Sequence, residues 1–175
     1  MKKSIGIFVI IIGLLCVILL SARAKSPYEF LEKKYGTTVN AKTPEEFIYQ
    51  EKLDEDNYLV FYRNSQDNII CAVIKETDFF YKVLAVGDGI SLGKENKEIL
   101  PNMRGFAYET KEEANPEEKY CWVQWGVLKD NSIKRIWTEK LGDFKIIPLQ
   151  EREYRIYYIL CTEEKMPVDI EILFE

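Results

Sequence analysis

Histidine is absent from this chain. That removes the usual proton partner of a serine or cysteine nucleophile and the imidazole ligands of zinc. Carboxylates and thiols remain as the groups able to do chemistry. Glu112, Glu113, Glu117 and Glu118 crowd one polar stretch, and Glu163 and Glu164 another. Glycoside hydrolysis needs only two suitably separated carboxylates, so an envelope enzyme working through such a pair is one reading. Acidic loop residues also serve solubility, and their spacing singles out no catalytic residue. The glycine-rich run "VGDGISLG" matches neither a phosphate-binding loop nor a dinucleotide fingerprint. Read as a calcium loop it puts Ile90 and Leu92 at ligand positions, so it fails there too. No metal and no cofactor is expected.

Three cysteines lie in apolar runs: Cys71, Cys121 and Cys161. In an oxidising compartment one pair can bond, and Cys121 with Cys161 is the pairing favoured by their common place in a C-terminal sheet. The competing reading is three buried, reduced thiols acting as small hydrophobes.

All three tryptophans fall within "YCWVQWGVLKDNSIKRIWTEK", residues 120–140. The stretch reads as a hairpin turning at Lys129-Asp130-Asn131-Ser132. If Leu128 pairs with Ile133, strand alternation puts Cys121, Val123, Trp125, Val127 and Ile136 on an apolar face. The opposite face then carries Tyr120, Trp122, Gln124, Arg135 and Trp137. Exposed Trp, Tyr and Arg are what binding surfaces overuse, and Arg over Trp makes a cation–π contact. Tyr120, Trp122, Arg135 and Trp137 are therefore the expected binding face, unless an N-terminal helix covers it as a second core layer. A register slip of one residue would exchange the faces.

The elements that must position these residues are readable in outline. Ser26-Pro27-Tyr28-Glu29 has the cap, the first-turn proline and the glutamate of a helix start, and Gly36 closes the helix. Thr43-Pro44-Glu45-Glu46 repeats the device and predicts a second helix carrying Phe47, Ile48 and Leu53. "NYLVFYR" and "NIICAVIKE" flank "NSQDN" as a hairpin. "FFYKVLAVG" follows as a third strand. The polar run 90–119 is too long for a structureless loop, and a short helix near Glu95–Leu100 and a short strand near Phe106–Tyr108 are expected there. "DFKIIPL" and "EYRIYYILC" come next, the latter apolar on both faces and so central. "VDIEILFE" alternates as a half-buried antiparallel strand. The predicted class is α+β: two short N-terminal helices, then a mostly antiparallel sheet from two hairpins and C-terminal strands. The two halves echo each other faintly, no more than two unrelated hairpins would.

The N-terminus carries a different signal. Lys2 and Lys3 precede sixteen uncharged, almost wholly apolar residues, Ile5–Leu20. A helix from Ser4 to Ala22 would be roughly 28 Å long, close to the hydrocarbon thickness of a bilayer. The basic flank predicts a cytoplasmic N-terminus and an exported remainder. Residues 1–24 thus read as a transmembrane anchor, or as a signal peptide cleaved after Ala22-Arg23-Ala24. A lipoprotein reading of Cys16 is disfavoured by Leu15 before it.

The remainder, 26–175, has the size of one domain, large enough to fold without staples. The chain carries a net charge of −5. Without Lys2, Lys3 and Arg23 there are 21 basic residues (24 less 3) against 29 acidic ones, a net of −8. That balance excludes nucleic acid as a partner and argues against anionic lipid.

The basic-apolar N-terminus, "TPEEFI", "NYLVFYRNSQDNIICAVIKE", "VQWGVLKDNSIKRIW" and "REYRIYYIL" together resemble small exported proteins of Gram-positive bacteria. The resemblance covers most of the exported part and implies an extracytoplasmic α+β domain, with no activity and no site residues attached to it. The expectation is a membrane-anchored, non-catalytic binding domain outside the cell, meeting an unknown protein or cell-envelope ligand. Its rivals are the carboxylate-pair enzyme and an inhibitory or immunity-type protein whose acidic loop, Glu112–Glu118, masks a basic partner.

Overall fold

The computed structural model describes residues 23–36, 41–92, 103–109, 120–149, 153–161 and 170–174. One helix, α1 (Pro27–Tyr35), starts where the sequence signals it: the Ser26 hydroxyl accepts from the Glu29 amide at 3.1 Å. The reciprocal bond runs one residue early, from the Lys25 amide to the Glu29 carboxylate at 2.6 Å. At the far end the Gly36 amide bonds back to Glu32.

Strands make up most of the rest. A first antiparallel sheet runs in the order β1 (Pro44–Lys52), β2 (Asn57–Asn64), β3 (Asn68–Glu76), β4 (Tyr81–Val86), and β5 (Ile90–Ser91) pairs with the start of β3. A second sheet joins β6 (Arg104–Glu109), β7 (Tyr120–Leu128), β10 (Lys145–Ile147) and β11 (Arg155–Cys161) in the order β10-β11-β7-β6. A third holds β8 (Ile133–Thr138), β9 (Gly142–Asp143) and β12 (Ile170–Phe174) in the order β12-β8-β9. The β2–β3 turn is built by Asn64, whose side chain accepts from the amides of Gln66 and Asn68. Asp67 takes the left-handed conformation there, at φ 59°, which a short polar side chain tolerates.

Strand alternation stacks these pieces into layers. Leu59, Phe61, Ile69, Cys71 and Val73 of the first sheet meet Val123, Trp125, Val127, Ile156 and Tyr158 of the second in one core. The intervening residues Val60, Tyr62, Ile70, Ala72 and Ile74 point the other way and are covered by α1 through Leu31, Tyr28 and Phe30. Leu128, Tyr157 and Ile159 leave the back of the second sheet and pack on Ile133, Ile136 and Phe144 of the third-sheet region. The layers are thus helix, sheet, sheet, sheet. β2, β3, β7 and β11 are apolar on both faces because each is buried on both.

The α+β expectation is corrected: among the described residues the chain is mainly β, with one short helix. The predicted second helix is the edge strand β1, paired with β2 from Pro44↔Asn64 to Lys52↔Tyr58 through two bulges. The capping signal at Thr43 is local and contributes about 1 kcal/mol. The open edge of β2 offers Phe47, Ile48 and Tyr49 a hydrogen-bonded ladder, and these residue types suit a strand. Pro44 sits at the strand's first position, where a missing amide is tolerated.

The single-pass membrane placement is corrected too. No helix among the described residues is long and apolar enough to cross a membrane. The nine residues of α1 span about 14 Å, half of what a bilayer requires. Of the expected anchor or signal segment, 1–24, residues 1–22 lie outside the described residues, as does the helix expected near Glu95–Leu100.

Candidate functional site

The expected aromatic face is not assembled. β7 is flanked by β6 and β11, and β8 by β12 and β9, so Leu128 and Ile133 do not begin a paired hairpin. The chain turns through 129–132, where Ser132 bonds the Asp130 carboxylate, and passes from the second sheet into the third. That crossing lets Ile133 and Ile136 cover Tyr157, with Phe144 edge-to-face on the Tyr157 ring at 5.7 Å. Trp122 stands opposite Cys161 and Ala107, half-buried, and Tyr120 is exposed opposite Glu109. Arg135 and Trp137 lie on β8 instead, where the guanidinium stacks 5.2 Å from the indole and bonds Asp143 at 2.7 Å. The Arg–Trp contact exists, but within one strand. Trp125 faces the core, edge-on to Phe61 at 5.6 Å.

Cys71, Cys121 and Cys161 are free thiols. Cys161 is the register partner of Trp122, so Cys121, one residue away, projects to the opposite face of the sheet from Cys161. The favoured pairing therefore has no geometry to form. Cys121 lies opposite Tyr108 and donates its thiol proton to the Trp122 carbonyl at 3.9 Å, and burial pushes the thiols of Cys121 and Cys71 up. Among the described residues no cluster of His, Cys, Asp or Glu could hold a metal ion. The carboxylates Glu112, Glu113, Glu117, Glu118, Glu163 and Glu164 lie outside those residues.

The richest titratable cluster surrounds Glu51 at the end of β1. Its carboxylate accepts from the Tyr158 hydroxyl at 2.5 Å, the Tyr49 hydroxyl at 3.0 Å and the Lys145 ammonium at 2.5 Å. Burial acts to raise its pKa, but the three donors together hold it below the ordinary value. A carboxylate so occupied keeps its charge and is a poor proton acceptor, so the cluster works as a tie between the first and second sheets.

A surface feature of another kind sits at the β3–β4 turn. Phe79 is 80% exposed and Phe80, its neighbour, 57%. They are not on a loose loop. The Thr77 amide donates to the Phe80 carbonyl at 2.9 Å, the Thr77 hydroxyl to the same carbonyl at 2.6 Å, and the Phe80 amide to that hydroxyl at 3.1 Å. Beneath the turn Glu76 accepts from the Tyr58 hydroxyl at 2.8 Å and lies 3.9 Å from Arg23. The two rings border a groove of about 490 Å³ against α1, walled by Arg23, Ala24, Phe30, Lys33, Lys34 and Tyr81. Lys34 holds its ammonium 5.8 Å from the Phe30 ring. A second cleft, of about 550 Å³, lies between Leu92, Lys129, Asn131, Glu153 and Tyr154, but the Lys129 ammonium is spent on the Leu92 carbonyl at 2.7 Å.

Sequence reasoning assigned Phe79 and Phe80 to the third strand. The signal that separates them is Thr77-Asp78, a side-chain-capped turn that delays β4 to Tyr81. No protein-family model, no curated protein and no solved structure matches this chain.

Proposed function

We propose that this protein is a non-catalytic partner-docking domain whose docking surface is the Phe79–Phe80 turn and the groove beside it. One observation carries the reading: two adjacent phenylalanines stand in solvent on a turn locked by three hydrogen bonds. Burying a phenylalanine side chain is worth roughly 1.5–3 kcal/mol. A flexible loop would let such rings fold back onto the chain. A preorganised turn keeps them out and lowers the ordering cost of binding. Aromatic residues at the centre of an interface, ringed by polar groups, are where binding energy concentrates. This keeps the interaction-domain reading of the sequence and moves its surface from the tryptophans to the β3–β4 turn.

The test is site-specific photocrosslinking in the producing cells, with a benzophenone amino acid at position 79 and, as control, at Lys134 on the exposed side of β8. The expected result is a discrete adduct from position 79 that Phe80→Ser abolishes and position 134 does not give. No such adduct, or one mapping only to residues 5–20 of the same chain, ends the reading.

A further inference from the structure

We infer that the segment docking at this groove is acidic and carries aromatic or aliphatic anchors. The inference rests on the docking reading above and adds the partner's chemistry. The chain as a whole is acidic, at −5, yet the groove wall holds Arg23, Lys33 and Lys34 and, among the described residues, no carboxylate. Phe30, Phe79 and Phe80 supply its apolar lining and the three cations its positive charge. Aromatic anchors beside charged groups are what a specific interface uses.

The carboxylates that neutralise two of these cations stand outside the groove. Glu29 holds Lys33 along the helix at 2.9 Å, and Glu76 reaches Arg23 only at 3.9 Å. Both pairs are partly exposed, and pairs open to solvent are weak enough for a partner's carboxylates to exchange into them. Lys34 is braced over the Phe30 and Tyr35 rings, each 5.8 Å away, which keeps its charge at the groove rather than in bulk solvent. A basic or neutral segment would meet the same rings without the charge match, and a nucleic acid would meet the field of an acidic body.

The experiment pans a display library of short random peptides against the full chain. Synthetic versions of the enriched peptides are then titrated by fluorescence anisotropy. Enriched sequences should carry an excess of Asp and Glu around one or two Phe, Trp or Leu. Their affinity should fall about tenfold or more between about 0.1 and 1 M salt, where the screening length drops from about 10 to 3 Å. Lys34→Glu should weaken them by a similar factor, and replacing the peptide's acidic residues by lysine should restore binding to that variant. Phe79→Ser/Phe80→Ser should abolish it, with the thermal midpoint showing each variant folded. Neutral or basic winners that need Phe79 and ignore salt would overturn the acidic partner and leave the docking surface standing. Winners indifferent to Phe79 and Phe80, or no winners, would overturn both.

Discussion

Glu51 and Tyr158 lie 107 positions apart and meet in a hydrogen bond of 2.5 Å, carboxylate to hydroxyl, across the gap between two sheets. Lys145 and Tyr49 complete the same carboxylate's shell. The edge strand β1 is held in the first sheet by its ladder with β2 and to the second sheet by this tie, which is charged at neutral pH.

Its pH dependence follows from the direction of the shift. The folded-state pKa of Glu51 is lowered from 4.5, so the unfolded chain takes up the proton first as pH falls. The stabilisation is whole above the unfolded value and is lost as pH drops below it through the folded one. Glu51→Gln should cost about 1–2 kcal/mol at neutral pH. Urea titrations of both proteins should show that gap closing at acid pH. A gap of constant size would mean the charge contributes nothing.

Trp125 is fully buried, whereas Trp137 lies half-exposed under Arg135. Trp125→Ala should remove about 3–5 kcal/mol, a large share of the 5–15 kcal/mol typical of a domain. Acrylamide should quench a protein retaining only Trp137 and leave one retaining only Trp125 nearly untouched. Equal quenching would place both in the same environment and contradict the separation of β7 and β8.

The thiols give a redox prediction. With Cys121 and Cys161 on opposite faces, a strong reductant should leave the thermal midpoint unchanged, where loss of a native disulfide costs about 2–5 kcal/mol. Maleimide should label Cys71, 0% exposed, only after denaturant is added. A reductant-induced fall in midpoint would restore the bridge.

Gly126 faces Tyr157 across the β7–β11 ladder, and a Cβ placed there would fall on the tyrosine ring and hydroxyl. Tyr157 cannot retreat, because it is fully buried and packed against Phe144. Gly126→Ala should cost about 1–3 kcal/mol by overpacking, measured as a lower denaturant midpoint. A neutral effect would show the back of the second sheet to be loosely filled.

Ser26→Ala should lower stability by about 0.5–2 kcal/mol through loss of the α1 cap. Hydrogen exchange should quicken in α1 while β7 and β11 keep their protection. Uniform quickening would mean that the helix and the sheets open together.

Parts of this architecture are determined by the sequence alone. The Ser26 cap, the first-turn proline and Gly36 bound α1, and the alternation on either side of Asn64–Asn68 makes β2 and β3 a hairpin. The double-sided apolarity of "EYRIYYILC" places β11 inside a sheet, and alternation in β7 sends Trp125 inward. These are short-range signals, a cap, a turn or a two-residue period, and they act within a few positions. Tertiary structure decided the rest. Pro44–Lys52 follows a helix-cap signal at Thr43 and still became a strand, because the open edge of β2 outweighs about 1 kcal/mol of capping. β7 and β8 adjoin in sequence and part into different sheets, because period two tells which residues share a face but not which strand lies beside them. The exposure of Phe79 and Phe80 belongs to the same class: two apolar residues beside a strand are lifted into solvent only because the Thr77 turn and the β3–β4 register leave them no layer to enter.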